Sequence, residues 1–90
     1  MMDDPAKKIH EALETLELPP LVSWAEIRAR YKELSRRHHP DCGGDPQKMA
    51  RINDAYETLR SYVENFRFTF SEEEIARQFP WNEYRKKFRF

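Results

Sequence analysis

Cysteine is almost missing from this 90-residue chain. Cys42 stands alone, which excludes an internal disulfide and any zinc module built on several thiolates. Glycine is scarce too: there are two, adjacent at Gly43-Gly44, and no repeat or low-complexity linker accompanies them. Neither sign of charge prevails, since 16 Lys and Arg face 16 Asp and Glu for a formal net charge of zero. That balance argues against a surface built throughout for nucleic acid or anionic membrane, and leaves room only for a local basic patch. No apolar run approaches the ~18 residues of a membrane span, and Met1-Met2-Asp3-Asp4 lacks the basic-then-apolar layout of a secretory signal. The expected compartment is therefore the reducing cytoplasm.

What is present points to one small domain with a thin core. Charged residues make up 36% of the chain and mean hydropathy is −0.97, yet 13% of residues are aromatic, too many for a disordered tail. Charge is uneven along the chain: residues 1–20 are net acidic, whereas residues 21–42 and 66–90 are net basic.

A first helix is expected from about Pro5 to Leu16. Asp4 caps it, Pro5 fits its first position, Ile9, Leu13 and Leu16 share one face, and Pro19-Pro20 stops it. A second helix opens on the capping box Ser23-Trp24-Ala25-Glu26. Ile27, Tyr31, Leu34 and His38 then fall in one stripe ~60° wide at ~100° per residue. Arg28, Lys32 and Arg36 form an exposed row beside that stripe, and Pro40 forces His39 out of helical geometry. After a turn over 39–46, Asp45 caps a third helix that begins at Pro46 and runs to about Val63. Its apolar face is Met49, Ile52, Ala55, Tyr56, Leu59 and Val63. These patterns predict an all-α fold: an antiparallel hairpin of helices with a short N-terminal helix laid across it.

The C-terminal segment reads differently. Phe66-Arg67-Phe68-Thr69-Phe70 alternates with period two, as extended chain does. Ser71-Glu72-Glu73-Glu74 is a second capping box, predicting a short helix over 72–79 that Pro80 breaks. Trp81, Tyr84 and Phe88 then recur with helical spacing among Arg85, Lys86, Lys87 and Arg89.

The second helix, the tripeptide His39-Pro40-Asp41 and the third helix together resemble the J domain of the DnaJ family. The motifs that carry the resemblance are Glu26-Ile27-Arg28, Tyr31-Lys32, Leu34, His39-Pro40-Asp41, Gly43-Gly44-Asp45 and Ile52-Asn53-Asp54-Ala55-Tyr56-Glu57-Thr58-Leu59. A lone His-Pro-Asp means little; between these two helices it is specific. The match runs from about Ala12 to Leu59, and residues 1–65 are expected to be the J domain, with 66–90 a C-terminal extension packed on it. The resemblance implies a co-chaperone that docks on a DnaK-type heat-shock chaperone and stimulates its ATP hydrolysis. It places the docking residues at His39, Pro40 and Asp41 in the loop and at Arg28, Lys32 and Arg36 on the second helix, with the Tyr31 hydroxyl reaching the same surface.

The residues agree with those roles. Pro40 fixes its own φ and holds His39 extended, which sets the loop in advance and lowers the ordering cost of binding. Asp41 lies past a helix C-terminus, where the dipole disfavours an anion, so a cationic partner explains it better than helix stability does. A solvated face is the usual meaning of a charged helical row, but the adjacent tripeptide favours docking. His39 has no nucleophile or second acid beside it, so no catalytic group is expected and the chain is not expected to be an enzyme. His38 and His39 straddle a helix end and diverge, so they form no ligand set with Cys42. Neither metal nor cofactor is expected, and His38 is expected to fill a core-facing position.

Two departures stand out. Glu33 occupies a place where the family often has a basic residue. After Leu59 the family's usual fourth helix is not visible, and an aromatic-rich segment replaces it. Phe66, Phe68, Phe70, Phe79 and Trp81 are expected to pack back on the three helices and enlarge the core. The alternative is a docking surface for a client or adaptor over 66–90. A further alternative is nucleic-acid binding by Trp81 and Tyr84 among Arg85, Lys86 and Lys87, against which the zero net charge weighs.

Overall fold

The first helix, α1 (Pro5–Thr15), starts where the Asp4 carboxylate accepts the Ala6 N–H at 3.0 Å. The computed structural model describes residues 4–79. α1 ends before the proline pair, by a device of its own. Glu17 takes a left-handed conformation (φ 57°), its N–H donates to the Glu14 carbonyl at 3.0 Å, and the Leu18 N–H donates to the Leu13 carbonyl at 2.9 Å. This is the Schellman closure, in which the chain reverses to satisfy the last carbonyls, here without the usual glycine. It turns Leu16 fully inward.

α2 (Trp24–His38) opens on a complete capping box. The Ser23 hydroxyl accepts the Glu26 N–H at 3.1 Å, and the Glu26 carboxylate accepts the Ser23 N–H at 3.3 Å. Helix α3 (Pro46–Glu64) starts at Asp45, whose carboxylate accepts the Gln47 N–H at 2.9 Å. Proline at the first position of α1 and of α3 costs neither helix a hydrogen bond.

α3 is the central element and packs against both α1 and α2. Ala12 and Leu13 from α1, Leu16 from its closing turn, Ile27 and Leu34 from α2, and Ile52, Ala55 and Leu59 from α3 form the buried core. Each is the apolar position that helical periodicity selects. Trp24, Tyr31, Met49, Tyr56 and Val63 close its margin. Trp24 stacks on Tyr56 (ring centroids 5.6 Å apart), and Tyr56 stacks on Tyr31 (4.0 Å, 10° between planes), so three rings join α2 to α3. His38 is half-buried. At the exposed end of α3, Arg60 bonds Glu64 at 2.7 Å and lies 3.4 Å from Glu57. The hydrogen bond to Glu64, then the two carboxylate charges, hold this guanidinium above its ordinary range.

Past α3 the chain departs from expectation. Phe68 and Phe70 do not pack on the three helices: they are 69% and 83% exposed. The core forms without these rings, and among the described residues a groove lined by Ile9, Leu13, Val22, Ile27, Leu59 and Val63 remains on the helices. Phe66 meets Tyr62 edge-on at 5.7 Å and Phe68 at 5.3 Å. A short helix, α4 (Glu72–Gln78), follows, with no residue in the buried core. Its predicted capping box is half formed. Ser71 accepts the Glu74 N–H at 3.2 Å, but the Ser71 N–H faces the Thr69 hydroxyl, and the Glu74 carboxylate turns to Arg77 and Gln78. The expected turn around Trp81, Tyr84 and Phe88 lies outside the described residues.

Candidate functional site

The loop between α2 and α3 is built by its own backbone. Pro40 denies His39 the helical region, and His39 sits at φ −65°, ψ 135°. Pro40–Cys42 then forms a single 3₁₀ turn. The His39 carbonyl accepts two N–H groups, from Cys42 at 2.9 Å and Gly44 at 3.0 Å, and the Pro40 carbonyl accepts the Gly43 N–H at 3.0 Å. Gly43 is left-handed (φ 79°) with open space around it. Gly44 is confined differently: a Cβ there would overlap the His38 backbone carbonyl, so the chain passes the end of α2 at a distance only glycine permits.

Within this frame His39 Nδ1 accepts the Asp41 N–H at 3.1 Å. The ring hydrogen of neutral His39 is thereby assigned to Nε2. The Asp41 carboxylate lies 3.6 Å from the same Nδ1, too far for a hydrogen bond and facing an atom that has no proton to give. Asp41 is therefore an open anion, its side chain 90% exposed. His39, Pro40, Asp41 and Cys42 are all exposed together at the tip.

On α2, Arg28, Lys32 and Arg36 are exposed, and none meets an acidic partner among the described residues. Glu33 engages other cations. It takes Arg37 at 2.7 Å and Arg30 at 3.5 Å, and these three lie on the flank away from the row. The departure at Glu33 thus engages Arg30 and Arg37 and takes no part in the row of Arg28, Lys32 and Arg36.

Tyr31 sits on the edge of the core stripe nearest that row, ~60° round the helix from Arg28 at ~100° per residue. Its ring is stacked on Tyr56, and its hydroxyl donates to Asn53 Oδ1 across the interface at 2.6 Å. Asn53 carries no periodic signal in the sequence, because its partner is 22 residues away on another helix. Gly44 was equally silent, since its constraint is a close approach that only folding creates.

The second candidate surface is only partly described. Phe66, Phe68, Phe70, Ile75 and Phe79 line an open apolar groove of about 700 Å³ between the extended segment and α4. Among the described residues, the backbone N–H and C=O groups of 67–70 find no hydrogen-bond partner. Trp81, Tyr84, Arg85, Lys86 and Lys87 lie outside the described residues.

Comparison with known proteins agrees with this arrangement. The family model described as the DnaJ domain matches residues 11–65. "Chaperone protein dnaJ A6" of Oryza sativa subsp. japonica is 39% identical over 46 residues, which cover 51% of this chain and 11% of that protein. "Translocation protein SEC63 homolog" of Homo sapiens is 46% identical over 46 residues, covering 51% of this chain and 6% of that protein. "Tetratricopeptide repeat and J domain-containing co-chaperone DNJ1" of Mycosarcoma maydis is 46% identical over 37 residues, 41% of this chain and 6% of that protein. The chain thus spans about a tenth or less of the length of these relatives. No solved structure matches. With helices α1 to α3, the intervening His39-Pro40-Asp41 turn and a family match over 11–65, the chain belongs to the DnaJ domain family.

Proposed function

We propose that this chain is a regulatory binding module that docks on a DnaK-type heat-shock chaperone and stimulates that partner's ATP hydrolysis. The observation that carries the reading is the exposed Asp41 carboxylate, held in a backbone-bonded loop at the end of a helix whose cationic row meets no acidic partner among the described residues. Arg28, Lys32 and Arg36 supply long-range attraction to an acidic surface, which chiefly raises the association rate. The loop then presents Asp41 and the His39 ring in a fixed pose, so little order is lost when a cationic group of the partner meets them. The hydrolysis is the partner's; this chain contributes contacts rather than a reacting group.

Single-turnover ATP hydrolysis by the chaperone, with and without this protein, tests the reading. Wild-type protein should accelerate it. His39→Gln should abolish the acceleration while the helical circular dichroism stays intact, because His39 is exposed and outside the core.

A second contact has its own observation. Among the described residues, 67–70 offer unpaired backbone groups with a phenylalanine at every second position beside the apolar groove. That is the pattern which accepts an extended apolar peptide as an added strand. We assign to it an extended segment of an unfolded client.

A further inference from the structure

Asn53 bonds Tyr31 from the other helix of the hairpin, at a position for which burial gives no explanation. The Tyr31 hydroxyl reaches Oδ1 at 2.6 Å, short even for an O–H donor. Asn53 is exposed, so water would satisfy its amide if the bond were absent. The Tyr31 ring is already fixed by its stack on Tyr56 and needs no second anchor to stay in the interface. What the bond adds is direction. It commits the phenol hydrogen to α3, so the oxygen can offer a further partner only an acceptor, on a residue ~60° round α2 from Arg28 at ~100° per residue. Among the described residues the Asn53 Nδ2 hydrogens have no protein partner.

We propose that Asn53 is a positioning residue for docking: it orients the Tyr31 hydroxyl as a hydrogen-bond acceptor beside the basic row, for a donor on the chaperone surface. This rests on the chaperone-docking reading above. The partner patch is then mixed: carboxylates opposite Arg28 and Lys32, and an N–H or O–H donor opposite Tyr31. Asn53 acts only through Tyr31, so its effect depends on the hydroxyl being present.

The test is a double-mutant cycle on chaperone ATPase stimulation with the full chain: wild type, Asn53→Ala, Tyr31→Phe and the pair. Tyr31→Phe keeps the ring stack and removes only the hydroxyl. Each single variant should raise the concentration for half-maximal stimulation roughly three- to tenfold, the effect of one hydrogen bond. Maximal stimulation should be unchanged, because the 39–44 loop is untouched. Asn53→Ala placed on Tyr31→Phe should add nothing further. A merely structural role would give a different pattern, lowering maximal stimulation and the thermal midpoint together in both backgrounds. If wild type stimulates and Asn53→Ala behaves like it, or if the two effects add, the assignment to Asn53 is wrong while the docking reading stands. If wild type itself stimulates no chaperone, the docking reading falls and takes this assignment with it.

Discussion

Gly43 and Gly44 are neighbours with different jobs, and the difference is measurable. Gly43 has a positive φ and open space, so alanine there meets only the left-handed penalty, about 1–2 kcal/mol. Gly44→Ala places a methyl group into the His38 carbonyl, and the end of α2 must move to admit it. In urea unfolding the Gly44→Ala variant should lose more stability than Gly43→Ala and should stimulate the chaperone less. Equal losses would mean that the loop relaxes freely around His38. At this scale the sequence was legible wherever the cause is local: Asp4, Ser23 and Asp45 cap helices through bonds to residues two or three positions away. It was illegible where the cause is a neighbour created by folding, as at Gly44, at Asn53 and in the ring stack of Trp24.

At the scale of the element, α2 carries two separate charge systems. Glu33 binds Arg30 and Arg37, whereas Arg28, Lys32 and Arg36 have no acidic partner among the described residues. Exposed pairs contribute only about 0–1 kcal/mol, so charge changes on the free row should leave folding nearly untouched. Arg28→Glu with Lys32→Glu should slow association with the chaperone strongly and flatten its salt dependence, because such attraction is screened within ~8–10 Å at physiological salt. Association rates measured across a salt series check this; a wild-type rate at low salt in the reversed variant would reduce the row to a solvated face. The elements themselves were readable because caps and apolar periodicity agree in α1, α2 and α3. α4 was readable in position but not in its cap, since the Glu74 carboxylate had two competing partners in its own helix, Arg77 and Gln78.

For the whole molecule, the core among the described residues is eight side chains drawn from α1, its closing turn, α2 and α3. Removing one large member should cost a substantial part of the ~5–15 kcal/mol that a small domain holds. Leu34→Ala should destabilise by about 2–5 kcal/mol. Phe68→Ser with Phe70→Ser should change stability by about 0.5 kcal/mol or less, because both rings are exposed, yet should weaken the holding of an unfolded client. Thermal unfolding and a client-aggregation assay separate the two. A large stability loss in the phenylalanine variant would show that the segment belongs to the fold after all. The alternation of Phe66, Phe68 and Phe70 rightly set this segment outside the helices, which stop at Glu64 and resume at Glu72, but period two does not specify what covers it. What covers it is set by folding, which builds the core from α1, α2 and α3 without these rings.

The central claim is that a preset loop triggers hydrolysis while the basic row only attracts. Single-turnover ATP hydrolysis by the chaperone at saturating amounts of this protein, comparing wild type with Asp41→Asn, tests it most directly. The expected result is clear acceleration by wild type and loss of most of it in Asp41→Asn, with the association rate nearly retained. Equal acceleration by both proteins, or none by wild type, would contradict it.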